Sequence, residues 1–166
     1  MYEWDISDAG SNCWILLVQA YQASRRATEI ELARYGLTIE QFHILMLLKA
    51  SRVPLSPGEI AAFVFREKHS ISERLTRMHK TGYVRKIRSV EDKRVVKIEI
   101  TPKGKEFLSE VFCSGVAYAR SMIASCLSDE DIRRLDVSLR KIRDHALRAL
   151  GEDLLPLPPI FGRAGV

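Results

Sequence analysis

The sequence predicts a mainly α fold with a small β-hairpin wing: a winged helix-turn-helix with long N- and C-terminal dimerisation helices. Three observations predict it. Capping signatures at Thr38, Ser56 and Ser70 open closely spaced helices. The stretch GYVRKIRSVEDKRVVKIEITPKG, from Gly82 to Gly104, reads as two short strands around a polar turn. Before and after this middle stand apolar stripes at helical spacing, and a winged-helix core needs only part of them.

The elements follow in order. CWILLVQAYQASRRATEIELARYGL, starting at Cys13, reads as one long helix. Thr38-Ile-Glu-Gln41 has the form of a capping box and opens QFHILMLLKA. Ser56-Pro57-Gly58-Glu59 is another, with proline at the first helical position, where its missing N–H costs nothing; it opens the short helix GEIAAFVF. Ser70-Ile-Ser-Glu73 has the same form and marks a third helix running to about Thr81, where Gly82 can stop it with left-handed backbone. In that helix Ile71, Leu75 and Met78 fall on one face at i, i+4, i+7 and must be its core side. The opposite face holds His69, Glu73, Thr76, Arg77 and Lys80, with Ser70 and Ser72 at the edges of the first turn.

Val84 to Arg88 is a brief strand, Ser89 to Lys93 a polar turn, and Arg94 to Ile100 a second strand with Val96, Ile98 and Ile100 on one face. Thr101-Pro102 starts a long helix through Leu127, and Ser128 to Asp131 starts another that ends before Gly151. Phe107, Leu108, Val111, Phe112, Ala119, Met122, Ile123 and Cys126 form one stripe. Ile132, Leu135, Leu139, Ile142, Ala146 and Ala149 follow in steps of three and four, close to a coiled-coil seam. The tail DLLPLPPIFGRAGV is too proline-rich for helix. The expected division is an N-terminal dimerisation helix over 1–36, a DNA-binding domain over 37–101, C-terminal dimerisation helices over 102–150 and a Pro-rich tail over 151–166.

Charge says where the chemistry lies. Net charge is +5, but Arg66 to Lys103 alone holds 12 Lys/Arg against 5 Asp/Glu. The remaining residues carry a slight negative excess, so cation is concentrated in one segment, as an electrostatic footprint for an acidic polymer would be. A membrane surface would want an apolar wedge beside that charge, and the segment offers none. MYEWDISDAGSN has neither the basic nor the apolar region of a secretory signal, and the longest uncharged apolar run is CWILLV, so a cytoplasmic protein is expected. Cys13, Cys113 and Cys126 are far apart, and buried inert thiols are the expectation. His43, His69, His79 and His145 show no metal-ligand spacing, and there is no P-loop or nucleophile elbow. Neither an enzyme, a metal site nor a cofactor is expected.

From Leu37 to Gly104 the motif order LTIEQFHILMLL, PLSPGEIAAFVF, SISERLTRMHKTGYV, EDKR and ITPKGKEF resembles the MarR (multiple antibiotic resistance regulator) family. The Asp92-Lys93-Arg94 triplet followed by Ile100-Thr101-Pro102-Lys103-Gly104 is its sharpest part. The resemblance implies a homodimeric, sequence-specific regulator, a ligand-responsive repressor bound to an inverted repeat in double-stranded DNA and released by a small-molecule effector. On this expectation Ser70, Ser72, Glu73, Thr76, Arg77 and Lys80 line the recognition helix. Arg85, Arg88, Asp92 and Arg94 serve the wing, where Arg94 enters the minor groove and Asp92 braces it. Glu73 stands where many relatives have arginine; it could accept from a cytosine amino group or pair with Arg77 one turn on. Lys86 likewise replaces arginine, keeping charge but weakening bidentate phosphate contact.

The family's usual effector pocket implies Trp14, Tyr21, Arg25, His43 and Met46 as lining, although interface and core roles suit the same residues. Two other readings stand beside this one. A redox sensor would use Cys13, which lies about one residue from the register of the peroxide-sensing branch, with Leu17 in place of its tyrosine. A winged-helix module that docks on another protein would bind DNA weakly and without sequence preference, and has no need for the Asp92/Arg94 pair.

Overall fold

Amides at the start of a helix have no partner within it, and this chain supplies them from side chains. Asp8 accepts from the amides of Gly10 and Ser11 and opens α1 (Ala9–Ala33). Thr38 and Gln41 exchange side-chain and backbone bonds to open α2 (Ile39–Ala50), and Ser56 and Glu59 do the same for α3 (Pro57–Phe63). Then follow α4 (Lys68–Lys80), β1 (Val84–Arg88), β2 (Val96–Ile100), α5 (Pro102–Val111), α6 (Ala117–Ala124) and α7 (Asp129–Ala149). The computed structural model describes residues 8–88, 96–111 and 117–151, with backbone alone for 117–120. The expected turn at Ser89 to Lys93, the join between α5 and α6, and the Pro-rich tail lie outside the described residues.

One expected helix start is corrected. The third helix begins at Lys68 with Glu67 as N-cap and no side-chain cap, so Ser70 lies inside its first turn. The cause is the end of α3. Phe65 takes the left-handed conformation (φ 52°), and the amides of Phe65 and Arg66 bond back to Ala62 and Ala61. This reversal normally falls to glycine. It ends α3 two residues before the expected point and sends the chain straight into α4.

The core gathers Leu32, Leu37, the inward side of α2, Ile60 and Ala61 of α3, and Ile71, Leu75 and Met78 of α4. Val84, Ile98, Ile100, Leu108 and Val111 close it from the hairpin and α5. The strands pair antiparallel, Val84 opposite Ile100 and Arg88 opposite Val96. A third strand is reduced to one bridge: Leu55 and Ile98 exchange backbone bonds of 3.0 and 2.7 Å. The alternation expected in the second strand holds at Ile98 and Ile100, while Val96 is exposed.

Thr101 to Gly104 fastens three elements together. Gly82 takes φ 79° and ends α4, its amide bonding to His79 and that of Tyr83 to Met78. Thr101 Oγ1 donates to the Gly82 carbonyl at 2.6 Å and accepts from the Gly104 amide at 3.0 Å. Lys103 Nζ donates to the Thr81 carbonyl at 2.8 Å, satisfying an open acceptor at the end of α4. The rings of Tyr83 and Phe107 stack at 4.5 Å.

The outer helices bury little within one chain. Leu32 is the buried residue of α1 and Leu147 that of α7. Trp14, Leu16, Tyr21 and Ile30 of α1, Ile123 of α6, and Leu135, Leu139 and Ile142 of α7 remain exposed. The expected burial of the cysteines is corrected too. Cys13 and Cys126 are exposed, because Cys13 lies on α1 and Cys126 in the turn after α6 rather than in the core; Cys113 is outside the described residues.

Candidate nucleic-acid interface

The outward face of α4 follows from the inward one. With Ile71, Leu75 and Met78 at 0–1% exposure, a rotation of about 100° per residue leaves His69, Ser72, Glu73, Thr76, Arg77 and Lys80 outside, and all are exposed. Ser70 is half-buried. Ser72 Oγ donates to the Lys68 carbonyl at 3.0 Å and Thr76 Oγ1 to the Ser72 carbonyl at 2.9 Å. The carboxylate of Glu73 lies 3.8 Å from the guanidinium of Arg77.

The hairpin is held against this face. Lys86 Nζ lies 3.4 Å from Thr76 Oγ1, and His79 Nδ1 lies 3.1 Å from the Val84 carbonyl oxygen. Lys97 Nζ reaches Glu59 of α3 at 3.1 Å. Ser56 holds the Glu59 carboxyl below its ordinary range through its backbone amide first and its hydroxyl second, with Lys97 assisting. Arg85 is engaged by Glu99 directly across the ladder, whereas Arg88 stands exposed at the end of β1. The fold therefore brings Ser72, Glu73, Thr76, Arg77, Lys80, Arg85 and Arg88 to adjoining elements. Asp92 and Arg94 lie outside the described residues.

Behind the face sits a charged junction that periodicity alone does not reveal. Glu40, in the first turn of α2 and only 12% exposed, meets Arg25 of α1 at 3.4 Å, Arg66 of the α3–α4 link at 3.3 Å and Arg74 of α4 at 3.7 Å. Burial pushes its carboxyl up, but its own backbone amide, Arg74 and Arg66 outweigh that and hold it below its ordinary value. Arg74 Nε is buried with no hydrogen-bond partner among the described residues. The guanidinium of Arg25 also donates to Glu29 at 2.8 Å and to Tyr21 Oη at 3.4 Å, which hold its proton more tightly still. One signal was present in sequence: Arg74 interrupts the inward stripe of Ile71, Leu75 and Met78, and a charge there demands a partner.

Of the expected effector-lining residues, Tyr21, Arg25 and His43 adjoin this junction. The protein packed around His43 lowers its pKa although part of the ring opens to solvent; Glu40 works against that shift, whereas Arg25 and Arg66 reinforce it. Trp14 is exposed nearly two turns before Tyr21, and Met46 packs against the core. Among the described residues no group of His, Cys, Asp and Glu is suited to hold a metal ion, and no helix is long and apolar enough to cross a membrane.

Known proteins share this fold. A family model described as MarR family matches residues 35–95. The HTH-type transcriptional repressor YetL of Bacillus subtilis is 34% identical over 126 residues, covering 75% of each chain. A regulator of Bacillus cereus, named only as an HTH-type transcriptional regulator, is 29% identical over 137 residues, covering 82% of this chain and 90% of its own. Among solved structures, AbsC, a MarR family transcriptional regulator from Streptomyces coelicolor, matches with a TM-score of 0.78 at 26% identity, over 89% of this chain and 99% of its own.

Proposed function

The chain belongs to the MarR family of DNA-binding transcriptional regulators, and we propose that it acts as a cytoplasmic homodimer that represses from an inverted-repeat operator until a small-molecule effector releases it. The observation that carries this reading is the joining of two surfaces: the exposed polar face of α4 and a basic strand packed beside it, with Lys86 against Thr76. Side chains on a helix of this kind reach base edges in the major groove, while cations beside it neutralise phosphates. Residues 37–101 would form the reading unit, with Ser70, Ser72, Glu73, Thr76, Arg77 and Lys80 from α4 and Arg85, Arg88, Asp92 and Arg94 from the wing.

Dimerisation is supported by the apolar surface that α1, α6 and α7 leave exposed in one chain, since a patch of that extent asks for a partner. Two-fold pairing would set two α4 helices on one side of a duplex. Repression is supported by the likeness to YetL, a transcriptional repressor. For the effector, Tyr21, Arg25 and His43 beside Glu40 are the favoured contacts. The chain Arg25–Glu40–Arg74 joins a dimerisation helix to the recognition helix, so a molecule bound there acts on both.

The test is a titration against the DNA upstream of the protein's own gene, with excess random duplex present and salt stepped from low to physiological. Binding that survives competitor, with one dimer per inverted repeat, is the expected result. Binding that collapses with competitor and salt would leave only the phosphate contribution and overturn the reading.

A further inference from the structure

Resting on the DNA-binding reading above, we infer that Glu73 and Arg77 act together as the base-selecting pair of the recognition helix, Glu73 for a cytosine and Arg77 for a guanine close by. The face of α4 narrows to these two heads. The hydroxyls of Ser72 and Thr76 spend their protons on helix carbonyls at 3.0 and 2.9 Å, and Thr76 Oγ1 is further occupied by Lys86. Lys80 lies in the last turn of the helix and His69 in its first. Between them stand a carboxylate and a guanidinium that are 68% and 72% exposed and 3.8 Å apart, beyond hydrogen-bond reach. So loose an exposed pair holds neither partner in place, and both are free to turn to bases.

Chemistry then decides which bases. An ionised carboxylate only accepts, so in the major groove it can meet the amino groups of cytosine or adenine. Adenine sets its N7 acceptor beside its amino group and would repel the second carboxylate oxygen; cytosine has no such neighbour. Arg77 is complementary in the opposite sense, its fork matching the O6 and N7 acceptors of guanine. Four helical residues advance about 6 Å, and base pairs step about 3.4 Å. The two heads therefore address the same base pair or positions up to two pairs apart. Against phosphates the acid is a penalty at every site, and that penalty is offset only where a cytosine amino group waits. Glu73 thus lowers affinity for random duplex more than for the operator, which widens the difference between them.

The experiment selects binding sites from a randomised duplex pool with the full-length wild type, Glu73→Gln and Arg77→Ala. The wild type is expected to enrich one cytosine per half-site with a guanine within two base pairs. Replacing that cytosine pair should weaken binding by roughly 5- to 150-fold. Glu73→Gln should shift the position toward adenine, which glutamine reads through N6 and N7, and should bind random duplex more tightly than the wild type. Arg77→Ala should lose the guanine alone. If Glu73→Gln selects the same sequence as the wild type, the inference is overturned while the regulator reading stands. If the wild type itself selects nothing, both fail together.

Discussion

The carbonyl oxygen of Tyr83 occupies the space a side chain on residue 104 would need: a β-carbon built on Gly104 would lie 2.2 Å from it. The Tyr83 backbone is at the same time the hinge point between α4 and β1, and Gly104 is in the first turn of α5. Recognition helix, wing and α5 therefore meet at a contact of backbone on backbone, which only glycine permits.

Gly104→Ala should force that contact apart. The expected cost is about 1–3 kcal/mol, as for other overpacked sites, or a Tm lower by roughly 2–12 °C in a chain of this length. An unchanged melting curve would show that α5 has room to spare.

Glu40→Gln should destabilise the fold, because Arg66 and Arg74 then lose the anion they share and Arg25 keeps only Glu29. Its pH dependence has a definite sign. The folded carboxyl titrates below its ordinary value of 4.5, so between the two values the unfolded chain binds more protons. The stabilisation is complete above that ordinary value and is lost as pH falls through the folded one. Melts of wild type and variant should differ by a constant Tm gap near neutrality that closes in acid. A gap that persists unchanged into strong acid would mean that the Glu40 charge is not what stabilises the junction.

Leu139→Asp tests the proposed dimer. Leu139 is 40% exposed in the single chain, so its fold tolerates a carboxylate there. A paired α7 does not, and light scattering after size exclusion should find monomers or the protein should become insoluble. A soluble, intact dimer would place the interface elsewhere.

Arg94→Ala should weaken operator binding without unfolding the protein. The slope of log affinity against log salt should fall by about one, the share of a single phosphate-region cation. Equal affinity in the variant would remove Arg94 from the interface.

What the sequence made legible was whatever is local. Thr38 and Ser56 each carry their partner three residues on, and both boxes form. The α4 face was readable because Ile71, Leu75 and Met78 orient it within one helix. Ser70 misled for a physical reason: a capping pattern acts only if the chain is still extended there, and the left-handed turn at Phe65 had already launched the helix. That Glu40 is the partner Arg74 demands was beyond reach, because their meeting depends on how α2 and α4 cross, which no periodicity encodes. The same holds for Gly104, whose neighbour Tyr83 is set by the folding back of the hairpin.

The bridge between Leu55 and Ile98 has a mechanical consequence. With the Lys97–Glu59 pair and the Thr101 bonds, it binds the root of the wing to the link before α3 and to the end of α4. Each reading head can then shift only as a solid jaw. In the proposed dimer the adjustable quantity is the gap between two jaws, as in a caliper whose arms are stiff and whose setting lies in the joint. Half-sites about 34 Å apart would fit one setting, and an effector at the joint need change no base contact to make the tool miss its mark.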